Sequence, residues 1–287
     1  MGEKSKKTGL FWCFFAKFAP KIVEKMNFQR TSFMRNVPPV VLNLIIINLI
    51  VWLASKILAA KMGIDLTDLL GMHYFASEKF HFYQLFTYMF MHDTHSIWHL
   101  FCNMFGVYMF GIALEQIWGS KKFLLYYMVS GVGAAIVQQL CWMGEFWSVT
   151  EAMNAAIAQS SPEMLESVEP TLRHFFRFGD INALRPLDIA GMREMLLNLP
   201  VTVGASGALF GVLLAFGWLF PDVKMFLLFV PIPIPARIFV GLYAVMELFL
   251  GVAGFSFDNV AHFAHLGGMI FGLILLLIWR KKGTLYR

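Results

Sequence analysis

Long apolar runs constrain this chain more than any other feature of its sequence. The first, at about residues 39–60, reads PVVLNLIIINLIVWLASKILAA, and similar runs recur to the carboxyl end. About 20 apolar residues in a helix cross the hydrocarbon core of a bilayer. Charged residues make up only 14% of the chain, whereas soluble domains carry roughly 25%. The pattern excludes an ordinary soluble domain. It also disfavours a transmembrane barrel, because the runs do not alternate in polarity.

The apolar pattern predicts six membrane-spanning helices. They are expected at about residues 39–60, 95–114, 122–142, 201–219, 237–254 and 260–279. Lys and Arg concentrate ahead of the first span, in the predicted inner loops and after the last span. Basic residues favour the cytoplasmic side of a membrane. We therefore expect a multi-pass protein of the plasma or inner membrane with both termini in the cytoplasm.

Three segments complete the predicted organisation. Residues 1–37 form a basic segment in which phenylalanines recur at helical spacing, which predicts a cytoplasmic amphipathic helix on the membrane surface. Residues 38–280 form the membrane domain, which includes an outer insertion at 143–200 where we expect short helices outside the membrane. The apolar run FHFYQLFTYMF, inside the outer segment 61–94, predicts a loop lying in the membrane interface. Residues 281–287 form a cytoplasmic tail.

Few polar side chains lie inside the predicted spans. His99 and Asn103 are in the second span, Ser206 is in the fourth, and His265 is in the sixth. Polar groups at this depth are costly in a bilayer and mark candidate functional sites. From the predicted boundaries, the two histidines and the serine lie about four or five residues past the outer helix ends, or about 6–8 Å deep. Side chains from three helices at one level predict a single site.

The residue types at this level are those of nucleophilic catalysis. A serine hydroxyl is a weak nucleophile and needs an adjacent base, which His265 would provide for Ser206. Neither Asp258 nor Glu247 has an obvious place as a third member, so the sequence favours a two-residue dyad. His99 and Asn103 lie one helical turn apart on the second span. Both could donate to an oxyanion, together with backbone N–H groups at the amino end of the fourth span.

Glycines four residues apart accompany both candidate catalytic side chains. Small residues at this spacing allow close approach of helix backbones in lipid. Close packing of the fourth and sixth spans would bring the serine to the histidine. The glycines expected to support this packing are Gly204, Gly207, Gly211, Gly268 and Gly272.

Taken together, these motifs resemble the rhomboid family of intramembrane serine proteases. The resemblance rests on GASGALFG in the fourth span, AHFAHLGG in the sixth and HLFCNMFG in the second, and it covers roughly residues 38–280. It implies an all-α, polytopic membrane protein, a bundle of six transmembrane helices with an interfacial first outer loop. It also implies that the fifth span, at about 237–254, is a lateral gate for substrate helices.

The resemblance implies a role for each site residue. Ser206 would be the nucleophile, His265 the base, and His99 and Asn103 the oxyanion donors. Phe210 would support the catalytic histidine with an aromatic ring. The implied reaction is endopeptidase cleavage of single-span membrane proteins near the outer end of their transmembrane helix, through an acyl-enzyme. The expected partners are such substrates and the lipid bilayer, with no nucleic acid, no cofactor and no metal.

One departure from the family concerns the first outer loop. Many members have a Trp-Arg pair there, and the corresponding residues of this chain are Tyr83 and Gln84. Anchoring of the loop by arginine at this position is therefore not expected, whereas the chemistry of the site is not affected.

Three alternative functions remain open at this stage. A metal-dependent membrane protein could use a set of imidazole ligands, although no HExxH motif is present and no carboxylate completes an obvious set. A transporter or channel would explain buried polar groups, but the sequence shows no inverted repeat. A catalytically inactive scaffold would not need both a serine and a histidine. The histidines available to the metal alternative are His92, His95, His99, His262 and His265.

Overall fold

The computed structural model describes residues 37–227, 230–253 and 261–286. The predicted basic amphipathic segment at 1–37 therefore lies outside the described residues except for its last position. In chain order, the elements from the start to the middle of the chain are α1 Pro39–Met62, α2 Leu66–Leu70, β1 Met72–His73, α3 Gln84–Thr87, α4 Ile97–Trp118 and α5 Ser120–Gln159. They are followed by α6 Glu169–Phe175, α7 Pro186–Asn198, β2 Val201–Thr202, α8 Ser206–Leu219, β3 Lys224–Leu227, β4 Val230–Pro235, α9 Ala236–Ala253 and α10 His262–Lys281. Short 3₁₀ helices occupy Tyr88–Phe90, Pro162–Val168 and Ile181–Ala183.

Four helical stretches within the described ranges are long and apolar enough to cross a membrane. They are Pro39–Met62, Ile97–Gln159, Ala236–Ala253 and His262–Lys281. The second stretch comprises α4 and α5, which meet at Gly119, whose φ of 74° is left-handed backbone that favours glycine. Helix α8 is apolar but has 14 residues, or about 21 Å, which is less than the roughly 30 Å of a bilayer core.

The third predicted span extends further than its apolar run indicates. The prediction ended it near residue 142, but α5 continues without a break to Gln159. The reason is a buried stripe at helical spacing, which continues through Phe146, Val149 and Met153. This stripe packs against the apolar residues of the short helices that follow, so the insertion is built around the extension of α5.

The architecture is mainly helical, with two short strand pairs that the all-α prediction did not contain. Strand β1 pairs antiparallel with β2, and β3 pairs antiparallel with β4. The first pair joins the outer loop to the segment immediately before α8, with Met72 opposite Thr202. In the second, the sequence VPIPIP of β4 contains three prolines, which oppose a helix because they lack the N–H donor.

Both ends of the described chain meet at one end of the bundle. The Glu115 carboxylate near the end of α4 accepts the N–H groups of Val40 and Val41 at 3.0 and 2.8 Å, so it caps the start of α1. The indole N–H of Trp118 donates to the carbonyl of Leu285 at 2.8 Å, beyond the end of α10. Helix α1 therefore begins where α4 and α10 end, and the amino ends of α4 and α10 lie at the opposite end.

Two glutamines hold the first outer loop, in which many rhomboids have an arginine. Gln84 accepts the N–H of His81 at 3.1 Å and donates to the carbonyl of Lys79 at 2.9 Å. Gln139, on α5, accepts the N–H of Phe75 at 2.9 Å and donates to the carbonyl of His73 at 2.6 Å. A buried amide can satisfy backbone donors and acceptors at once. Amide side chains thus tie this loop to the bundle.

Candidate active site

Ser206 is the first residue of α8 and does not lie in the interior of the helix. The prediction placed it about four or five residues inside the fourth span, but the segment before it is the β2 strand followed by Gly204, whose φ is 130°. The Gly204 N–H donates to the carbonyl of Tyr88 at 3.0 Å, and this bond holds the approach to the helix. Backbone N–H groups of the first turn have no partner within a helix, so Ser206 lies at a position suited to stabilising negative charge.

Ser206 and His265 are hydrogen-bonded to each other. The Ser206 Oγ lies 2.8 Å from His265 Nε2, within the normal range for such a bond. His265 is the fourth residue of α10 and is 4% exposed, whereas Ser206 is half-buried and reachable. The Phe210 ring lies flat on the imidazole, with ring centroids 4.1 Å apart and planes 7° apart. The expected neighbours of the site are therefore brought together.

A carboxylate that the sequence analysis left without a place lies against the imidazole. Glu247, on α9, is 4% exposed. Its Oε2 lies 2.9 Å from His265 Nδ1 and 2.7 Å from His262 Nδ1. The packing of α9 against α10 thus gives Glu247 a place beside the ring that the sequence did not indicate, while the two-residue dyad stays a prediction. Asp258, the other acid considered, lies outside the described residues.

The sequence did contain a signal for this carboxylate. Glu247 is the one acidic residue of α9, whose other residues are mainly apolar. An ionisable group in a membrane helix is costly and needs a partner. What the sequence could not supply was the identity of that partner, because the contact joins residues from two helices.

His99 points its donor toward the space beside the serine. Its Nδ1 accepts the backbone N–H of Asp93 at 3.3 Å, so a neutral imidazole carries its proton on Nε2. A Cβ built on Gly204 would lie 2.9 Å from that Nε2 and 3.6 Å from Ser206 Oγ. The absence of a side chain at Gly204 thus leaves a small space between donor and hydroxyl, which is of the kind that an oxyanion requires.

Asn103 is less directly placed. Its Nδ2 donates to the carbonyl of His99 at 2.9 Å, one turn back on α4. One of its two N–H groups is therefore engaged within the helix, and the second remains for a ligand.

The glycines separate into two roles. Gly204 was predicted to pack helices, but it precedes α8 and faces His99, because its left-handed φ belongs to the turn that ends the β2 strand. A Cβ built on Gly268 would overlap the carbonyl oxygen of Gly207, so these two glycines bring the backbones of α8 and α10 into contact. One turn further along the same interface, a Cβ built on Gly272 would lie 3.3 Å from the Cα of Gly211.

The side chains that could hold a metal in the structure differ from the set that the sequence indicated. Within the described part of the chain, one group of three or more metal-binding side chains comes together, namely Glu247, His262 and His265, with ligand atoms within 4.8 Å of one another. His95 is exposed and lies apart from this group. The first-loop histidines are thus not part of such a cluster.

His92 packs beside the site without joining it. Its ring lies 5.0 Å from the His99 ring in an edge-on arrangement. Burial, followed by the proximity of His99, lowers the pKa of His92 to about 3. The His92 ring is therefore neutral at physiological pH and fills the space behind His99.

Comparison with known proteins agrees with this architecture. The family profile described as the Rhomboid domain matches residues 79–148 and 187–282, which together exceed half of the chain. The chain belongs to the rhomboid family. It is also 27% identical to Rhomboid protein 1, mitochondrial, of Saccharomyces cerevisiae over 177 residues, which are 62% of this chain and 36% of that protein. The chain thus matches about a third of the length of this relative.

The rhomboid assignment agrees with the membrane character of the chain. This rhomboid is a multi-pass membrane protein with several apolar helices. The two stretches that match the family profile are separated by residues 149–186. This interval holds residues 149–159 of α5 and the short helix α6, so most of the extension of α5 lies outside the matched stretches.

Proposed function

We propose that this rhomboid is an intramembrane serine endopeptidase in which Ser206 is the nucleophile and His265 the general base. The observation that carries the proposal is the 2.8 Å hydrogen bond between Ser206 Oγ and His265 Nε2. The bond lies beside a small space lined by the His99 Nε2 donor and opened by Gly204. A nucleophile, a base and an oxyanion donor therefore surround a position that a scissile carbonyl can occupy.

The reaction follows from these groups. His265 Nε2 takes the hydroxyl proton as Ser206 Oγ attacks the carbonyl carbon, and the tetrahedral oxyanion forms in the space beside Gly204. Collapse of this intermediate breaks the C–N bond, and the imidazolium returns the proton to the leaving amine. Water then hydrolyses the acyl-enzyme with the same base. The His99 donor stabilises the oxyanion in both halves of the reaction.

The proposed substrates are single-span membrane proteins, cut near the outer end of their transmembrane helix. A helical peptide bond is shielded by its own hydrogen bonds, so substrates with Gly, Pro or polar residues near that end should unwind and be preferred. We propose lateral entry between α4 and α9, because the outward face of α9 is exposed and apolar at Leu242, Val245 and Phe249. Membrane lipid would cover this face in the resting protein.

The membrane topology is part of the same proposal. We infer six crossings, by α1, α4, α5, α8, α9 and α10, with both termini in the cytoplasm. The common position of the start of α1 and the end of α10 supports an even number of crossings. The predicted membrane is the plasma or inner membrane, while the name of the Saccharomyces relative places that protein in mitochondria.

The decisive experiment is cleavage by the purified protein in liposomes. A panel of single-span proteins is incubated with the wild-type protein, with Ser206→Ala and with Ser148→Ala, whose exposed serine on α5 provides a matched control. We expect cleavage by the wild type and the control, with cut sites near one helix end by mass spectrometry, and none by Ser206→Ala. Cleavage that survives in Ser206→Ala would refute the serine mechanism.

A chelator distinguishes the metal alternative. A serine protease of this design should keep its rate in EDTA. If the rate falls and Zn²⁺ restores it, the metal-dependent function replaces the one proposed here.

A further inference from the structure

We propose that Glu247 is a positioning residue that completes a Ser206–His265–Glu247 triad. This inference deepens the proposed function and rests on it. The three side chains come from three helices, α8, α10 and α9. His265 Nε2 lies 2.8 Å from Ser206 Oγ, and His265 Nδ1 lies 2.9 Å from Glu247 Oε2. The arrangement departs from the dyad that the sequence predicted.

The geometry determines which atom of His265 carries the proton. An ionised carboxylate only accepts hydrogen bonds, so the 2.9 Å contact between Glu247 Oε2 and His265 Nδ1 places the proton on Nδ1. Nε2 is then unprotonated and accepts the Ser206 hydroxyl, which is the form that a general base requires. Without the carboxylate, the imidazole could place its proton on Nε2 and would no longer accept from the serine.

The carboxylate also acts after proton transfer. When Nε2 takes the serine proton, His265 becomes a cation within a site that is almost sealed from water, since both His265 and Glu247 are 4% exposed. A negative charge at hydrogen-bond distance stabilises that cation, and the proton on Nδ1 stays where it is. The carboxylate is therefore expected to act on the rate of the chemical step more than on substrate binding.

His262 holds the carboxylate in place. Its Nδ1 donates to the same Oε2 at 2.7 Å, so Glu247 has two donors and a defined orientation. His262 and His265 are three residues apart on α10 and face the same side of the helix. His262 acts on the base through Glu247, so its removal should cost much less than removal of the carboxylate.

The test compares Glu247→Gln with Glu115→Gln in liposomes. Glu115 is a matched control because it is also a buried carboxylate that accepts hydrogen bonds, at the opposite end of the bundle. Glu247→Gln should lower kcat by about 100- to 10,000-fold, as loss of the acid does in serine proteases, with KM within about 3-fold. Glu115→Gln should change kcat less than about 3-fold and should unfold at a lower temperature, because the cap at the start of α1 is weakened.

NMR spectroscopy provides a second test, which does not depend on the cleavage rate. The Nδ1–H proton of His265 should give a low-field NMR resonance in ¹⁵N-histidine-labelled protein, present in Glu115→Gln and lost in Glu247→Gln. His262→Ala should retain the His265 resonance and lose only its own. If Glu247→Gln does not fold, the His262→Ala spectrum decides: presence of the His265 resonance supports the triad, and its absence overturns it.

The remaining outcomes separate this inference from the proposed function. If Ser206→Ala is inactive but Glu247→Gln keeps the wild-type kcat, the triad is wrong and the protease proposal stands. If both glutamate variants lose kcat equally, the effect is structural and the triad is also wrong. If Ser206→Ala stays active, the protease proposal itself fails. Loss of wild-type activity in EDTA with recovery in Zn²⁺ would assign Glu247, His262 and His265 to a metal and overturn both.

Discussion

The contact between Gly268 and Gly207 offers a sharp test of how helix packing supports the site. A Cβ built on Gly268 overlaps the carbonyl oxygen of Gly207 and lies 3.5 Å from its Cα. The obstacle is backbone, which cannot rotate away as a side chain can. Residue size alone predicts that Gly268→Ala is milder than Gly268→Val, because alanine is still small enough for near approach. The structure predicts that Gly268→Ala is already damaging.

The size of the effect can be worked out from the site. Relief of the overlap requires α8 and α10 to separate by on the order of 1 Å, and a displacement of that size costs about 100-fold in rate. The hydrogen bond from Ser206 to His265, 2.8 Å long, would exceed the limit of about 3.2 Å. Overpacking of this kind should also lower the free energy of unfolding by about 1–3 kcal/mol.

The assay combines the cleavage rate in liposomes with thermal unfolding in detergent. Gly241→Ala is the control, because Gly241 lies within α9 and a Cβ built there meets nothing within 4 Å. That variant should keep its rate and gain up to about 1 kcal/mol of stability. If Gly268→Ala matches the wild type in both measurements, the close approach of α8 and α10 is wrong, and the geometric support for the Ser206–His265 pair is lost.

The remaining predictions concern the oxyanion site, the outer loop and pH. His99→Ala should slow cleavage about 100- to 1000-fold, or about 2.7–4 kcal/mol, in steady-state kinetics, and an unchanged rate would exclude His99 as a donor. Gly204→Ala should lower kcat, since its methyl group fills the space beside the serine, and a wild-type kcat would contradict this placement. Gln84→Ala should lower thermal stability by roughly 1–3 kcal/mol for each buried backbone group left unpaired, whereas Phe82→Ala, with Phe82 81% exposed, should be neutral. Because burial lowers the pKa of His92 from 6.5 to about 3, the unfolded state binds this proton first, and a drop from pH 7 to pH 5 should remove about 2 kcal/mol of stability through His92. Denaturant melts that show no such slope, or a slope unchanged in His92→Leu, would contradict this assignment.

The sequence by itself determined most of the membrane helices. The runs at about 39–60, 237–254 and 260–279 correspond to helices Pro39–Met62, Ala236–Ala253 and His262–Lys281 within about two residues. Continuous apolar character is sufficient here because lipid offers no hydrogen-bond partners, and a helix satisfies its backbone N–H and C=O groups within one segment. The same local motifs indicated Ser206 and His265 as the residues to examine.

The tertiary structure determined the helix boundaries and side-chain contacts that depend on residues distant in sequence. The length of α5 depends on its apolar stripe meeting other helices of the insertion, and the start of α8 depends on strand pairing between Met72 and Thr202. Hydropathy reports that a face avoids water, but it does not say which partner covers that face. The place of Glu247 depends on the rotation of α9 against α10, a contact between residues distant in sequence. The chemistry of the base is therefore completed by packing, because the carboxylate and the imidazole meet only when the two helices do.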